Sequence, residues 1–123
     1  MRRRSTTLTE QELEIMKIIW DRETATVRDV YEAMLERRKV AYTTVMTMMK
    51  ILEQKKYLKK TLVDRAYVYR PTQPKRQVLG AMVREFVNRV FNGSAEPLLV
   101  HLVEEHNLSR EDLEEIARLR RES

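Results

Sequence analysis

The sequence predicts a mostly α-helical protein with a small β-hairpin: an N-terminal winged helix-turn-helix followed by a C-terminal helical dimerisation region. Apolar residues recur at helical spacing through three segments before residue 57. Two short segments rich in β-branched and aromatic residues follow, and helical spacing returns after Pro74. Three helices followed by a hairpin is the element order of a winged helix-turn-helix, in which the third helix enters the DNA major groove.

The first two helices are marked by capping boxes. Thr9 is followed three residues later by Glu12, and Thr26 is followed by Asp29. In such a box the hydroxyl and the carboxylate each accept a hydrogen bond from the other residue's backbone N–H, which starts a helix. The basic run at residues 37–39 is typical of a helix C-terminus and ends the second helix.

The third helix, from about Tyr42 to Lys56, has two distinct faces. One is an apolar stripe and the other carries hydroxyls, one methionine and one lysine. The stripe consists of Val45, Met48, Met49 and Leu52, and the second face consists of Thr43, Met46, Thr47 and Lys50. Side chains of the second kind can contact base edges and phosphates. A plain solvated helix face is the alternative.

The hairpin segment combines basic and aromatic residues. Its strands are predicted at residues 58–63 and 66–70, joined by Asp64 and Arg65, with the turn type left open. Alternation is expected to turn Leu58, Thr61 or Leu62, and Val68 towards the helices. The outward residues are then Lys59 and one of the two tyrosines. The basic residues are Lys55, Lys56, Lys59, Lys60, Arg65 and Arg70, and Tyr67 and Tyr69 lie among them. Because Lys and Arg supply most of the sequence-independent affinity for DNA, we expect a clamp on the DNA backbone, although a charge run can also be a solvated face.

Charge and composition narrow the function. The chain of 123 residues has 24 Lys and Arg against 19 Asp and Glu, a net charge of +5. Residues 1–72 carry 16 basic and 10 acidic residues, a net of +6, whereas residues 73–123 carry 8 and 9, a net of −1. Cysteine is absent, and only two histidines and two glycines occur. We therefore expect no enzymatic activity, no metal, no cofactor and no membrane insertion, and we expect a cytoplasmic protein.

Pro71 to Pro74 marks the boundary between a DNA-binding domain at residues 1–72 and a helical region at residues 73–123. The helical region has a long helix that ends at Asn92-Gly93 and two shorter amphipathic helices. Its apolar stripe is too wide for one neighbour, and about 50 residues rarely form a core alone, so a homodimer interface is expected. Packing back onto the first domain is the alternative. The interface candidates are Val78, Met82, Phe86, Val90, Leu98, Leu99, Leu102, Leu113 and Ile116.

Several segments resemble the BlaI/MecI/CopY family of bacterial repressors. They are LTEQELEIM at 8–16 with Ile19-Trp20, VAYTTVMT at 40–47, LEQKKYL at 52–58, YVY at 67–69, FVNRVFNG at 86–93 and Leu108-Ser109. The resemblance implies a homodimeric transcriptional repressor that binds double-stranded DNA at a dyad operator. It also implies a recognition helix at residues 43–52 with Thr43, Thr44, Met46 and Thr47 facing the groove, and a wing at residues 58–70.

The sequence departs from that family at three points. Ile51 stands where members usually have a basic residue, which leaves Lys50 as the substitute. Lys56 stands where a glycine commonly precedes the wing, so another turn geometry is expected. Without cysteine, thiolate-based metal release is excluded. In one branch a membrane-bound sensor protease cuts the repressor, and the matching positions here are His101 and Leu102.

Two alternatives stay open at this stage. One is a winged-helix protein-interaction adaptor without specific DNA binding, against which the basic wing argues. The other concerns Arg2, Arg3 and Arg4, which form either a DNA-binding arm or a plain terminus.

Overall fold

The computed structural model describes residues 7–122 and confirms the predicted fold class and element order. Arg2, Arg3 and Arg4 lie outside the described residues. The elements are α1 (Glu10–Arg22), α2 (Val27–Leu35), α3 (Tyr42–Gln54), β1 (Leu58–Val63), β2 (Ala66–Pro71), α4 (Lys75–Phe91), α5 (Glu96–His106) and α6 (Arg110–Glu122). None of the helices within this described range is long and apolar enough to cross a membrane.

The chain forms two compact units that divide inside α4. The N-terminal unit extends to Leu79 and the C-terminal unit begins at Gly80. The first part of α4 thus groups with the winged helix, so this division falls a few residues after the boundary proposed at residues 72 and 73. Trp20 is one link between α1 and the segment before α4, because its indole Nε1 donates to the carbonyl of Gln73 at 3.0 Å.

The core of the N-terminal unit is built from one apolar face of each of its first three helices. The stripe predicted for α3 supplies three fully buried residues, while its fourth member, Met48, is half-buried. The buried core side chains from these helices and β1 are Ile15, Met16, Ile18, Ile19, Val30, Met34, Val45, Met49, Leu52 and Leu58. This packing fixes α3 by one face and leaves the opposite face exposed.

Both predicted capping boxes form. Thr9 N donates to Glu12 Oε1 at 2.9 Å while Glu12 N donates to Thr9 Oγ1 at 3.1 Å. Thr26 N donates to Asp29 Oδ2 at 3.0 Å and Asp29 N donates to Thr26 Oγ1 at 3.1 Å. These contacts depend on residues three apart in the chain, which is why the sequence predicts both helix starts.

The end of α3 contradicts the prediction for Lys56. Lys56 adopts φ 74°, the left-handed conformation that a glycine would take, so the lost glycine does not change the turn geometry. Lys56 N donates to the carbonyl of Glu53 at 3.0 Å, and Tyr57 N donates to that of Leu52 at 2.9 Å, which together form a Schellman motif. The segment before α4 holds this turn in place, since Thr72 Oγ1 donates to the carbonyl of Lys56 at 2.6 Å.

The hairpin forms from the two predicted strands, which are joined by a two-residue turn. Asp64 and Arg65 both have positive φ, 48° and 72°, which identifies a type I′ turn without glycine. Lys60 pairs with Tyr69 and Leu62 pairs with Tyr67 across the antiparallel strands. Tyr69 also bridges to Ala25, which ties the wing to the segment between α1 and α2.

Part of the predicted facing of the hairpin is wrong. Leu58 is buried as expected, but Thr61 is exposed, Leu62 is 60% exposed and Val68 is half-buried. The buried residue of β2 is Tyr69. Leu62 does share a face with Leu58, but it lies towards the tip of the hairpin and finds no core to pack on there.

The C-terminal unit consists of the rest of α4 together with α5 and α6. As predicted, α4 ends at Asn92 and Gly93, which have φ 55° and 87°, and Gly93 N donates to the carbonyl of Val87 at 3.1 Å. Phe91 stacks at an angle on Phe86 and His101, with ring centroids 5.9 Å and 6.3 Å away.

Candidate nucleic-acid interface

The exposed face of α3 presents the residues that the sequence predicts for groove contact. Thr43, Met46, Thr47 and Lys50 are all exposed, and so is Thr44. The first turn of α3 contains no acidic residue, and its N-cap, Ala41, makes no side-chain capping bond. The first backbone N–H groups of α3 therefore carry the partial positive charge of a helix N-terminus without a side-chain acceptor to cover it.

A cleft of about 680 Å³ separates α3 from the wing and from the start of α2. Its lining combines four cations with tyrosines, threonines and three apolar residues, and it includes no carboxylate. The lining residues are Thr26, Val27, Arg28, Tyr42, Met46, Thr47, Lys50, Lys60, Arg65, Ala66, Tyr67 and Tyr69. Four positive side chains thus converge on one concave surface, which suits a polyanion rather than a neutral ligand.

Lys60 occupies the wing side of this cleft and is held there by several groups. Its Nζ lies 3.4 Å from Glu53 Oε1 and 4.4 Å from the centre of the Tyr67 ring. Desolvation lowers the pKa of Lys60, but the phenol of Tyr69 and the carboxylate of Glu53 outweigh it, so the pKa is raised overall. Lys60 is therefore a charged ammonium with a defined position. Burial, opposed by the Lys60 charge, raises the pKa of Tyr69, which keeps its hydroxyl neutral.

Lys55 does not line this cleft, although its position in the sequence predicts that it belongs to the basic patch. Its Nζ lies 2.9 Å from Oε1 of the buried Glu12 and 3.3 Å from the carbonyl of Thr7. The Lys55 side chain is only 18% exposed. Its charge is thus used inside the N-terminal unit.

The structure separates the other predicted contact residues into different surfaces. Lys59 is exposed and pairs with Arg70, but as the neighbour of Lys60 in β1 it lies on the opposite face of the hairpin and outside the cleft. Thr43 and Thr44 line a smaller hollow of about 310 Å³ that also includes Gln11. Thr47 lines both the hollow and the cleft, so it sits on the ridge of α3 between them.

Sequence reasoning missed several residues that line these surfaces. Thr26, Val27 and Arg28 bring the start of α2 to the cleft. The Thr26 capping box marks that helix start in the sequence, but only the helix-turn-helix packing shows that it faces α3. Tyr42 stacks edge-on against Tyr31 with ring centroids 5.3 Å apart, which fixes the start of α3 against α2.

The candidate dimer residues fall into two groups. Val78 is only 4% exposed and belongs to the N-terminal unit, so it is already buried within one chain. Met82 and Leu98 are half-buried. The exposed candidates are Phe86, Val90, Leu99, Leu102, Leu113 and Ile116, and Val83 and Leu119 on the same predicted apolar faces are similarly exposed. The C-terminal unit therefore presents a large apolar surface.

His101 and Leu102, the positions that match the family's cleavage site, lie in the middle of α5 and are both exposed. A protease that cuts this bond would have to unwind the helix locally.

Within residues 7–122, no three His, Cys, Asp or Glu side chains come together as a metal site.

Comparison with known proteins gives matches across both units. A family model described as Penicillinase repressor matches residues 8–122. The transcriptional regulator BlaI of Mycobacterium tuberculosis is 40% identical over 101 residues, which are 80% of this chain and 73% of that protein. The penicillinase repressor of Bacillus licheniformis is 26% identical over 109 residues, 89% of this chain and 85% of that protein. Among solved structures, Bacillus licheniformis BlaI in monomeric form with the blaP half-operator matches with a TM-score of 0.50 and 26% identity, over 56% of this chain and 84% of that chain.

Proposed function

The chain belongs to the penicillinase repressor family, and on that premise we propose that it is a transcriptional repressor that binds a specific DNA operator as a homodimer. The observation that carries the proposal is the cleft beside α3. It joins an exposed helix face to four cations, with no carboxylate among its lining residues. The similarity to a BlaI that was solved with a half-operator supports the same function.

The residues of the interface divide into two roles. We assign base contact to the exposed face of α3, where Thr47 and Lys50 offer a hydroxyl and an ammonium and Met46 offers an apolar surface for a thymine methyl group. We assign phosphate contact to Lys60, Arg65 and Arg28, which surround the cleft. Phosphate contacts fix the position of the protein on the duplex, and base contacts choose the sequence.

The C-terminal unit supplies the proposed dimer contact. Many of its large apolar side chains are exposed in the single chain, and a second copy would cover them symmetrically. Two recognition helices about 34–36 Å apart would then read two half-sites of a palindrome. The proposed division of labour is thus a DNA-binding domain at residues 1–72 and a dimerisation region at residues 73–123.

Selection of bound duplexes from a random pool tests the proposal. The expected result is a palindromic consensus with half-sites about 10–10.5 base pairs apart, or a multiple of that distance. Recovery of duplexes with no shared sequence would contradict specific binding and favour the adaptor alternative.

Sedimentation of Phe86→Asp tests the dimer, since a charge in the apolar surface should leave a monomer of 14.8 kDa.

Single substitutions then test the assignment of phosphate contact to the wing and of base contact to α3. Lys60→Gln should weaken binding to all sequences by a common factor and reduce the magnitude of the slope of log affinity against log salt by at most about 0.9. Lys59→Gln is the control, because it removes the same charge from the opposite face of the hairpin. Thr47→Val replaces a hydroxyl with a methyl group, leaves the charge unchanged and should instead change the preferred sequence.

Two finer points complete the proposal. A repressor acts where the chromosome is, so we place the protein in the cytoplasm.

A membrane-bound sensor protease that cuts between His101 and Leu102 would detach part of α5 and all of α6 from the DNA-binding unit. Mass spectrometry of the protein from induced cells should then show a fragment that ends at His101, and an uncut chain would argue against that partner.

A further inference from the structure

The cleft cation Lys60 already has an anionic partner within the chain. Glu53, in the last turn of α3, faces it across the joint between α3 and β1, with Oε1 3.4 Å from Nζ. The two side chains are 31% and 32% exposed. Such a pair, in contact with solvent, can open at low cost when a competing anion arrives.

Glu53 and the cleft approach Lys60 from different directions. Lys60 lines the cleft, whereas Glu53 is absent from its lining residues. The rings of Tyr67 and Tyr69, 4.4 Å and 6.0 Å from the ammonium, lie along the strand that pairs with β1. The aromatic contacts keep Lys60 at the cleft even when the carboxylate releases it.

We propose that Glu53 competes with the DNA backbone for Lys60: its carboxylate holds the ammonium in the free protein, and a phosphate replaces it in the complex. This inference rests on the proposed DNA-binding function. A phosphate in hydrogen-bond contact with Lys60 comes within a few ångströms of the Glu53 carboxylate, and the two negative charges repel. The pair therefore opens as the duplex binds.

The competition limits affinity without choosing a sequence. Lys60 contacts the sugar–phosphate backbone, which is the same for every duplex, so the Glu53 carboxylate lowers binding to specific and scrambled DNA by one factor. Sequence choice stays with the exposed face of α3. Glu53 thus sets how strongly, and with what salt dependence, the protein holds any DNA.

A double-mutant cycle measured with the full chain tests this. Glu53→Gln should tighten binding to both the selected duplex and a scrambled duplex by about twofold to fivefold, the range expected for an exposed ion pair. The salt slope should become steeper, because Lys60 then neutralises a phosphate without first leaving a carboxylate. In a Lys60→Gln background, Glu53→Gln should tighten binding much less, because no ammonium is left for the carboxylate to hold.

Two further variants make the result decisive. Glu53→Ala also removes the carboxylate, and alanine is a good helix former, so this variant should tighten binding as Glu53→Gln does. Glu14→Gln is the control of equal charge change, because Glu14 pairs with Arg37 and Arg38, and none of these residues lines the cleft. It should leave affinity unchanged.

Three outcomes would overturn the inference. Weaker binding by Glu53→Gln would mean that the carboxylate positions Lys60 for DNA, and unchanged binding would mean that the pair is irrelevant. Equal tightening in the Lys60→Gln background would reveal a general charge effect. If the wild-type chain bound no duplex at all, the proposed function itself would fail, whereas specific wild-type binding with one of these three results rejects only the competition.

Discussion

Replacement of Glu12 by glutamine should destabilise the N-terminal unit by more than an ordinary surface substitution does. Glu12 is only 5% exposed, and its Oε1 accepts hydrogen bonds from Thr9 N and Lys55 Nζ, both at 2.9 Å. Glutamine keeps an oxygen for the capping box, in which it can replace glutamate. The substitution therefore removes the charge of the ion pair and little else.

The geometry sets the expected cost. Removal of one partner from a fully buried pair costs about 3–5 kcal/mol, whereas exposed pairs contribute about 0.2–1 kcal/mol. Lys55 is 18% exposed and keeps the carbonyl of Thr7 at 3.3 Å, so it can recover part of its solvation. We expect about 2 kcal/mol for Glu12→Gln, and about 3 kcal/mol for Glu12→Ala, which also loses the cap.

Urea unfolding followed by Trp20 fluorescence measures this cost. Trp20 is the single tryptophan, and it lies in the N-terminal unit with a hydrogen bond to Gln73. Glu14→Gln is the control, since the arginines that pair with Glu14 are more exposed, and it should cost less than about 1 kcal/mol. In a Lys55→Met background, Glu12→Gln should lower the free energy of unfolding by much less than it does in the wild-type chain. An unfolding midpoint of Glu12→Gln equal to that of Glu14→Gln would refute the reasoning.

Three further predictions follow from the same unit. Lys56→Gly should raise the free energy of unfolding by about 1 kcal/mol, because φ 74° disfavours residues with a Cβ; calorimetry that shows a lower Tm would contradict it. Lys55→Met should leave the salt slope of DNA binding unchanged, because Lys55 is paired with the buried Glu12. A slope reduced as much as in Lys60→Gln would show that Lys55 contacts DNA. The raised pKa of Tyr69, caused by burial, means that its contribution to stability is present below its ordinary pKa of 10.0 and is lost as pH rises through the folded-state pKa. Tyr69→Phe should flatten the alkaline fall in stability measured by urea titrations above pH 9, and an unchanged fall would assign it to another group.

The sequence predicts features of this fold that depend on neighbouring residues. The Thr9 and Thr26 capping boxes need only residues three apart, and the end of α4 needs only Asn92-Gly93. The exposed face of α3 follows from helical periodicity once the opposite stripe is known to be buried. The order of the elements, the two strands of the hairpin and the exposed face of α3 could therefore be predicted.

Other features depend on distant contacts that periodicity does not contain. Alternation puts Leu62 on the same face as Leu58, but it does not show where the core ends, and Leu62 is exposed beyond it. The left-handed turn at Lys56 is held by Thr72, sixteen residues away. The start of α2 reaches the cleft only through the packing of α2 on α3.

The lysines of the basic patch show why charge alone did not define the interface. Lys55 and Lys60 lie five residues apart and look equivalent in the sequence, yet each meets a glutamate in a different setting. Glu12 is buried and fixed by its capping box, so it holds the Lys55 ammonium inside the N-terminal unit, where the pair stabilises the fold. Glu53 is about one-third exposed, so its ion pair with Lys60 is weak, and under the proposed competition a phosphate replaces it. The burial of the partner carboxylate, rather than the lysine itself, thus separates a structural cation from one that can bind DNA.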